Sequence, residues 1–244
     1  MNKDTKIYIC THTDFVCPVT NPVYEIADAR QLFEDDKSPN GMDNLFYSEL
    51  ATYQHIAENY KLPKYVGFCH YRKFFDFMDD VPDLEALVEE YGCVATHPVT
   101  VKWTVERHYD KCFNFADLDI MKALLYERKP TFYLDFVTAL QDNNLYTANM
   151  FVMRRNDFKQ MMRFVWDMLG RWLDVVGYDV KRRILDHPDI YLSRKGRGGT
   201  LSHQFRIGGN LGERIISAYI KSKFPEAKTF GITFTEEARP HKEI

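Results

Sequence analysis

Residues 65–73 read Tyr65-Val66-Gly67-Phe68-Cys69-His70-Tyr71-Arg72-Lys73. Tyr65 to Cys69 is a short apolar run of strand length, and it gives way abruptly to polar, hydrogen-bonding side chains. Such a tip lies at the end of its strand. In open α/β sheets, ligands bind beyond the carboxyl ends of the strands. His70, Tyr71 and Arg72 are therefore the first candidates for a ligand edge.

Working outward, the pattern alternates. Pro63 ends a helix expected over about 46–60, with Phe46, Leu50, Tyr53, Ala57 and Tyr60 on one face. Residues 6–11 read as a first strand leading to Thr11-His12, and residues 34–44, rich in Asp, Asn, Pro and Gly, as a loop. Downstream, Pro82 opens a helix carrying Leu84, Leu87, Val88 and Tyr91, closed by Gly92. Cys93–Thr96 is a third strand, and 101–116 reads as irregular. Helices follow over 117–127 and 131–141, and Asn149–Met153 is a fourth strand. Asp157 and Gln160 resemble a capping box opening a long helix with Phe158, Met161, Met162, Val165, Leu169 and Trp172 inside. Residues 177–206 are polar and basic and read as a mobile insertion. A helix over 209–223 and a strand within 228–234 complete the chain. Strands alternating with helices predict an α/β fold with a mainly parallel, doubly wound sheet.

Composition sets the bounds. The 244 residues suit one large domain, expected to span 1–244, and no internal repeat is visible. A formal net charge of -3 argues against a chain built chiefly to coat nucleic acid. Cys10, Cys17, Cys69, Cys93 and Cys112 form no C-x-x-C pair, and no secretory leader precedes them. The expectation is a reduced, cytoplasmic protein. No stretch approaches the roughly 20 consecutive apolar residues of a membrane span.

Three constellations carry chemistry. Arg72 offers a planar fork to phosphate oxygens, and His70 can donate to the same group or act as an acid. Pairing with neighbouring carboxylates to pin a loop is the alternative. Asn149 puts an amide into an apolar strand, where a ligand hydroxyl or a backbone group must satisfy it. The stretch from Arg206 through Gly208, Gly209 and Gly212 to Glu213-Arg214 joins a glycine turn to a helix start, a weak anion motif without P-loop spacing. Asp35-Asp36 and Asp79-Asp80 are acidic pairs of the kind that bind cations or simply face solvent. There is no H-E-x-x-H, G-x-S-x-G or zinc-type Cys/His set.

These blocks, in this order, resemble the DUF4422 family, which is associated with capsular and exopolysaccharide synthesis. The matching pieces are Thr11-His12, Asp43-Asn44, Tyr47-Ser48-Glu49-Leu50, the 65–73 block, Asn149-Met150-Phe151 and Gly209 to Arg214. Lys73 stands where the pattern has a second Arg. The resemblance implies a GT-A-like glycosyltransferase, moving a sugar from a nucleotide-sugar donor, UDP-linked, onto a hydroxyl of a growing polysaccharide. It implies a donor pocket built from Thr11, His12, Asp43, Asn44, His70, Tyr71, Arg72, Asn149, Arg206 and Arg214, with Asp142 or Glu213 as catalytic carboxylate. In that fold an Asp-x-Asp motif holds a divalent metal. Here His70-Tyr71-Arg72 stands in its place, so the cations are expected to do part of the metal's work. Binding of Mn²⁺ or Mg²⁺ through Asp76, Asp79 or Asp80 is the other possibility. A lipid-linked glycan acceptor would bring the enzyme to the inner membrane face. Two alternatives stay open. One is a phage-type enzyme acting on a modified DNA base in a host cytoplasm, suggested by Arg194, Lys195 and Arg197. The other is a non-catalytic nucleotide-sugar-binding module.

Overall fold

The computed structural model describes residues 2–32, 46–192 and 200–235. Its centre is an eight-stranded sheet. Strand β1 (Thr5–Thr11) pairs in parallel with β2 (Tyr24–Asp28) on one side and β3 (Tyr65–His70) on the other. Strand β8 (Phe151–Arg154) lies antiparallel between β3 and β5 (Cys93–Thr96), and β9 (Lys228–Phe230) continues parallel beyond β5. At the tip of β3, β4 (Lys73–Phe75) turns back and pairs with β10 (Ile232–Phe234). Directions follow from these pairings: only β4 and β8 run against the rest. The expected mainly parallel α/β sheet is present, with one reversed strand at its centre. A two-residue pair, β6 (Val99–Thr100) and β7 (Asn144–Leu145), lies apart from it.

The central strand explains the layering. In β3, successive side chains point to opposite faces. Val66 and Phe68 join a core that includes Tyr8, Tyr53, Phe151 and Phe158, whereas Tyr65 and Cys69 join Ile7, Ile9, Val94 and Val152. Helices α1 (Glu49–Asn59), α3 (Val105–Cys112), α4 (Phe115–Arg128), α5 (Pro130–Gln141), α6 (Arg155–Val176) and α8 (Ile207–Lys223) all contribute to the first core. Helix α2 (Leu84–Tyr91) seals the second core through Leu84 and Val88. The stripe of α6 is as the sequence predicts, with Phe158, Met161, Met162, Val165, Leu169 and Trp172 all buried. Cys10, Cys69 and Cys93 are buried free thiols. Among the described residues no helix is long and apolar enough to cross a membrane.

Several expectations are corrected. Residues 105–112 form α3 rather than irregular chain: Thr104 accepts from the Arg107 amide at 3.2 Å, and only Val105 and Tyr109 turn inward, too thin a stripe to stand out. Asp157 and Gln160 do not cap α6. They hold the Lys223 ammonium at 2.7 and 2.9 Å. The described part of 177–206 is docked, not a free loop. Helix α7 (Val180–Asp186) buries Val180 and Ile184, and Arg183 reaches the fully buried Asp117 at 3.1 Å. Residues 188–191 and 201–204 are further short helical turns. The Asp35-Asp36 pair, Asp43, Asn44, Arg194, Lys195 and Arg197 lie outside the described residues.

Candidate functional site

The turn between β3 and β4 fixes the site. His70 pairs in register with Lys73, so Tyr71 and Arg72 stand at the carboxyl edge. Tyr71 is buried, with its amide donating to the Cys10 carbonyl at 3.1 Å. Its ring packs edge-on against His12 at 5.4 Å and supports the Arg72 guanidinium at 5.0 Å. It is therefore a wedge between strand ends rather than a cleft-facing group. Thr11 is also buried: its hydroxyl donates to the Thr13 carbonyl at 2.6 Å and shapes the turn that exposes His12.

A cleft of about 460 Å³ opens beside this turn. His70, Arg72 and Lys73 form one wall; His203, Arg206 and Asn210 form another. Partial burial holds the His12 imidazole below its ordinary value, and the charges of Arg206, Arg72, His70 and Arg30 lower it further. These groups thus cluster at one edge of the sheet. Among the described residues, neither Arg72 nor Arg206 has a carboxylate within ion-pair distance, whereas Arg30 is bound by Asp28 at 2.6 Å and Asp14 at 2.8 Å. A concave surface with convergent, unneutralised cations suits an anionic ligand.

Glu49 and Glu213 bring carboxylates to the same cleft. Glu49 opens α1, where the helix end favours negative charge. Burial pushes its carboxyl up, yet the charge of the neighbouring His70, its own backbone amide and the Asn149 amide outweigh this and hold it at about 2. Asn149 Nδ2 donates to Glu49 Oε1 at 2.7 Å; His70 Nε2 stands 3.5 Å from the same oxygen, an ion-pair distance too long for a good hydrogen bond. Glu213 accepts from the Ala148 amide at 2.8 Å and from Arg214 at 2.7 Å. The two carboxylates therefore grip both residues of a strained bend: Ala148 and Asn149 have φ of 65° and 51°. Ser48, beside Glu49, has φ 53°. Left-handed backbone at non-glycine positions costs on the order of 1–3 kcal/mol each and tends to collect at functional sites.

Other predicted residues lie elsewhere. Arg214 is buried, not cleft-lining; its guanidinium lies over the rings of Tyr109 and Phe113, 3.3 Å from His108 Nδ1. Asp142 ties β7 to α8: its carboxylate accepts from Lys221 at 2.6 Å and from the Asn143 amide at 2.6 Å, and it does not line the cleft. Asp79 caps a turn through the Thr20 and Asn21 amides, and Asp76 accepts from the Gly231 amide. Among the described residues no three His, Cys, Asp or Glu side chains are grouped as metal ligands. Sequence reasoning assigned no role to Ser48, Glu49, His203 or Asn210. Ser48-Glu49 carried a signal as part of the Tyr47–Leu50 block, and Asn210 as part of the Arg206 to Arg214 stretch.

The glycines of α8 have a packing role. Helix α8 begins at Ile207, so Gly208 and Gly209 lie inside its first turn rather than in a phosphate loop. A Cβ at Gly209 would come within 2.8 Å of Ser48 Oγ, and one at Gly208 within 2.5 Å of Phe46. Close approach of α8 to residues 46–48 thus sets the width of the cleft. Gly209→Ala is expected to destabilise the fold by about 1–3 kcal/mol through overpacking, despite alanine's advantage in helices of about 1 kcal/mol. An unchanged urea midpoint would refute the tight approach.

Comparisons with known proteins enter here. A solved structure described as the apo structure of WbbM, a bifunctional glycosyltransferase, superimposes with a TM-score of 0.74 at 18% identity. The match covers 96% of this chain and 45% of that one, so this chain spans under half of its neighbour's length. No curated protein sequence matches. A family model described as a domain of unknown function, DUF4422, matches residues 6–186. That match takes in β1, the 65–73 block and the Asn149 strand, and the chain accordingly belongs to the DUF4422 family.

Proposed function

We propose that the protein is a glycosyltransferase that moves a sugar from a nucleotide-sugar donor, UDP-linked, to a hydroxyl of a growing polysaccharide. The observation that carries this reading is the convergence of His70, Arg72 and Arg206, with His12 near them, on a cleft that also holds two carboxylates. Glycosyl transfer passes through an oxocarbenium-like transition state while a diphosphate departs. Cations aimed at the departing oxygens stabilise charge as it develops. Arg72 and His70 are assigned to the diphosphate, with Arg206 facing them from α8. Glu213 is the carboxylate assigned to receive the acceptor proton, since it lines the cleft and Asp142 does not. Arg214 holds Glu213 in place. The likeness in fold to WbbM, described as a bifunctional glycosyltransferase, supports the reaction class, and the acceptor is the one that the resemblance to DUF4422 implies.

The Asp76 and Asp79 carboxylates bind loop amides outside the cleft, which supports a mechanism in which cationic side chains take the metal's part. Turnover is expected to persist in excess chelator. Loss of activity restored by Mn²⁺ or Mg²⁺ would overturn that mechanism.

A thermal-shift screen with UDP, GDP, CMP and dTDP, each with and without Mn²⁺, tests the donor site. A ligand that binds only the native state raises its apparent stability. One nucleotide is expected to give a selective rise. No rise with any of them at millimolar concentration would sink the donor-site reading; binding without transfer to any acceptor would favour a non-catalytic module.

A further inference from the structure

The carboxyl edge of the sheet has a chemical order. Strand order β2, β1, β3, β8 brings Asp28, then His12, then His70 and Arg72, then Ala148 and Asn149 to one edge. Asn149 belongs to this series only because β8 is reversed, so the residues that precede it arrive where β1 and β3 end. Moving from β3 to β8, the groups change from cations to neutral amide and carboxylate. At this junction Asn149 is 3% exposed, and among the described residues its Oδ1 has no hydrogen-bond partner. Buried polar atoms of this kind are normally satisfied. Asn149 Nδ2 donates to Glu49 Oε1 at 2.7 Å, His70 Nε2 stands 3.5 Å from the same oxygen, and the Glu49 side chain, 15% exposed, lines the cleft.

We infer that Glu49, positioned by the Asn149 amide, forms the floor of a sugar subsite and selects the donor sugar by its hydroxyls as a charged acceptor. The inference rests on the nucleotide-sugar reading and adds a specificity determinant to it. A sugar linked to a diphosphate bound at β3 extends one strand spacing, about 4.8 Å, to reach β8. A carboxylate fixed on one oxygen by an amide presents a hydroxyl acceptor without free rotation.

The test is calorimetric titration of wild type and Glu49→Gln with UDP, UDP-glucose, UDP-galactose and the deoxyfluoro analogues of both sugars. Glutamine keeps the volume and an oxygen for Asn149 Nδ2 while removing the charge. Measured against its own affinity for UDP, Glu49→Gln is expected to lose about 10- to 100-fold of the affinity added by the sugar. One deoxyfluoro position is expected to weaken binding in wild type and to have no further effect in the variant, the coupling a direct contact produces. If every analogue weakens both proteins by the same factor, or the sugar's contribution survives in Glu49→Gln, the subsite is overturned while the donor site stands. If wild type binds none of the UDP ligands, the nucleotide-sugar reading with UDP fails, and the subsite falls with it.

Discussion

Arg72→Ala is expected to lower turnover about 100- to 1,000-fold, the loss typical of removing one donor aimed at developing negative charge. The side chain is held over the Tyr71 ring at 5.0 Å and lines the cleft. Its backbone carbonyl, which accepts from the Thr235 amide, is untouched by the substitution. Stability should therefore fall only by the lost ring contact, about 0.5–1 kcal/mol. Arg72→Lys restores charge without the bidentate fork and should recover part of the rate. His70→Ala should also slow turnover, with an added structural cost because it removes the partner of the half-buried Glu49. Steady-state rates with melting curves on the same samples separate these effects. Wild-type turnover in both alanine variants would remove the cation cluster from the mechanism.

Arg183→Ala is expected to destabilise the fold by about 3 kcal/mol at pH 8 and by much less at pH 5, because it leaves a buried charge unpaired. Burial pushes the Asp117 carboxyl up to about 7, even with the Arg183 guanidinium pulling it down from 3.1 Å. A carboxyl whose folded value lies above its unfolded value favours folding when protonated. That contribution is complete below about 3.8 and is lost as pH rises through about 7. The rise from 3.8 to about 7 amounts to on the order of 4 kcal/mol. Without Arg183 the ionised form is penalised further, so the loss deepens at high pH. Asp117→Asn should flatten the dependence. Urea midpoints of the three proteins at pH 5 and pH 8 decide it; equal losses for Arg183→Ala at both pH values would defeat the argument.

The fold was legible where periodicity was strong and local. The β3 run, the α6 stripe and the helix ending before Pro63 all stand as read. The tip at His70–Arg72 was legible because polarity changes there within one residue. What stayed hidden depends on partners distant in sequence. Glu49 looks like an ordinary helix residue until Asn149, 100 positions away, donates to it. Arg214 resembles a surface cation until Tyr109 and Phe113 are seen beneath it. Gly208 and Gly209 suggested a turn, but their reason is the proximity of Phe46 and Ser48. The reversal of β8 left no mark in its own residues, since a buried strand has the same apolar composition in either direction.

The seam along β8 has a consequence for fragments of this protein. Within the sheet, the β2-β1-β3 portion and the β5-β9 portion are joined through that strand, which pairs Phe68 with Phe151 and Val94 with Val152. A polypeptide cut before Phe151 would leave Tyr65 to Phe68 as a bare, apolar edge with unpaired amides and carbonyls. Such an edge is a template for self-association. Insolubility of amino-terminal pieces would then reflect a missing strand, not an inherently poor core.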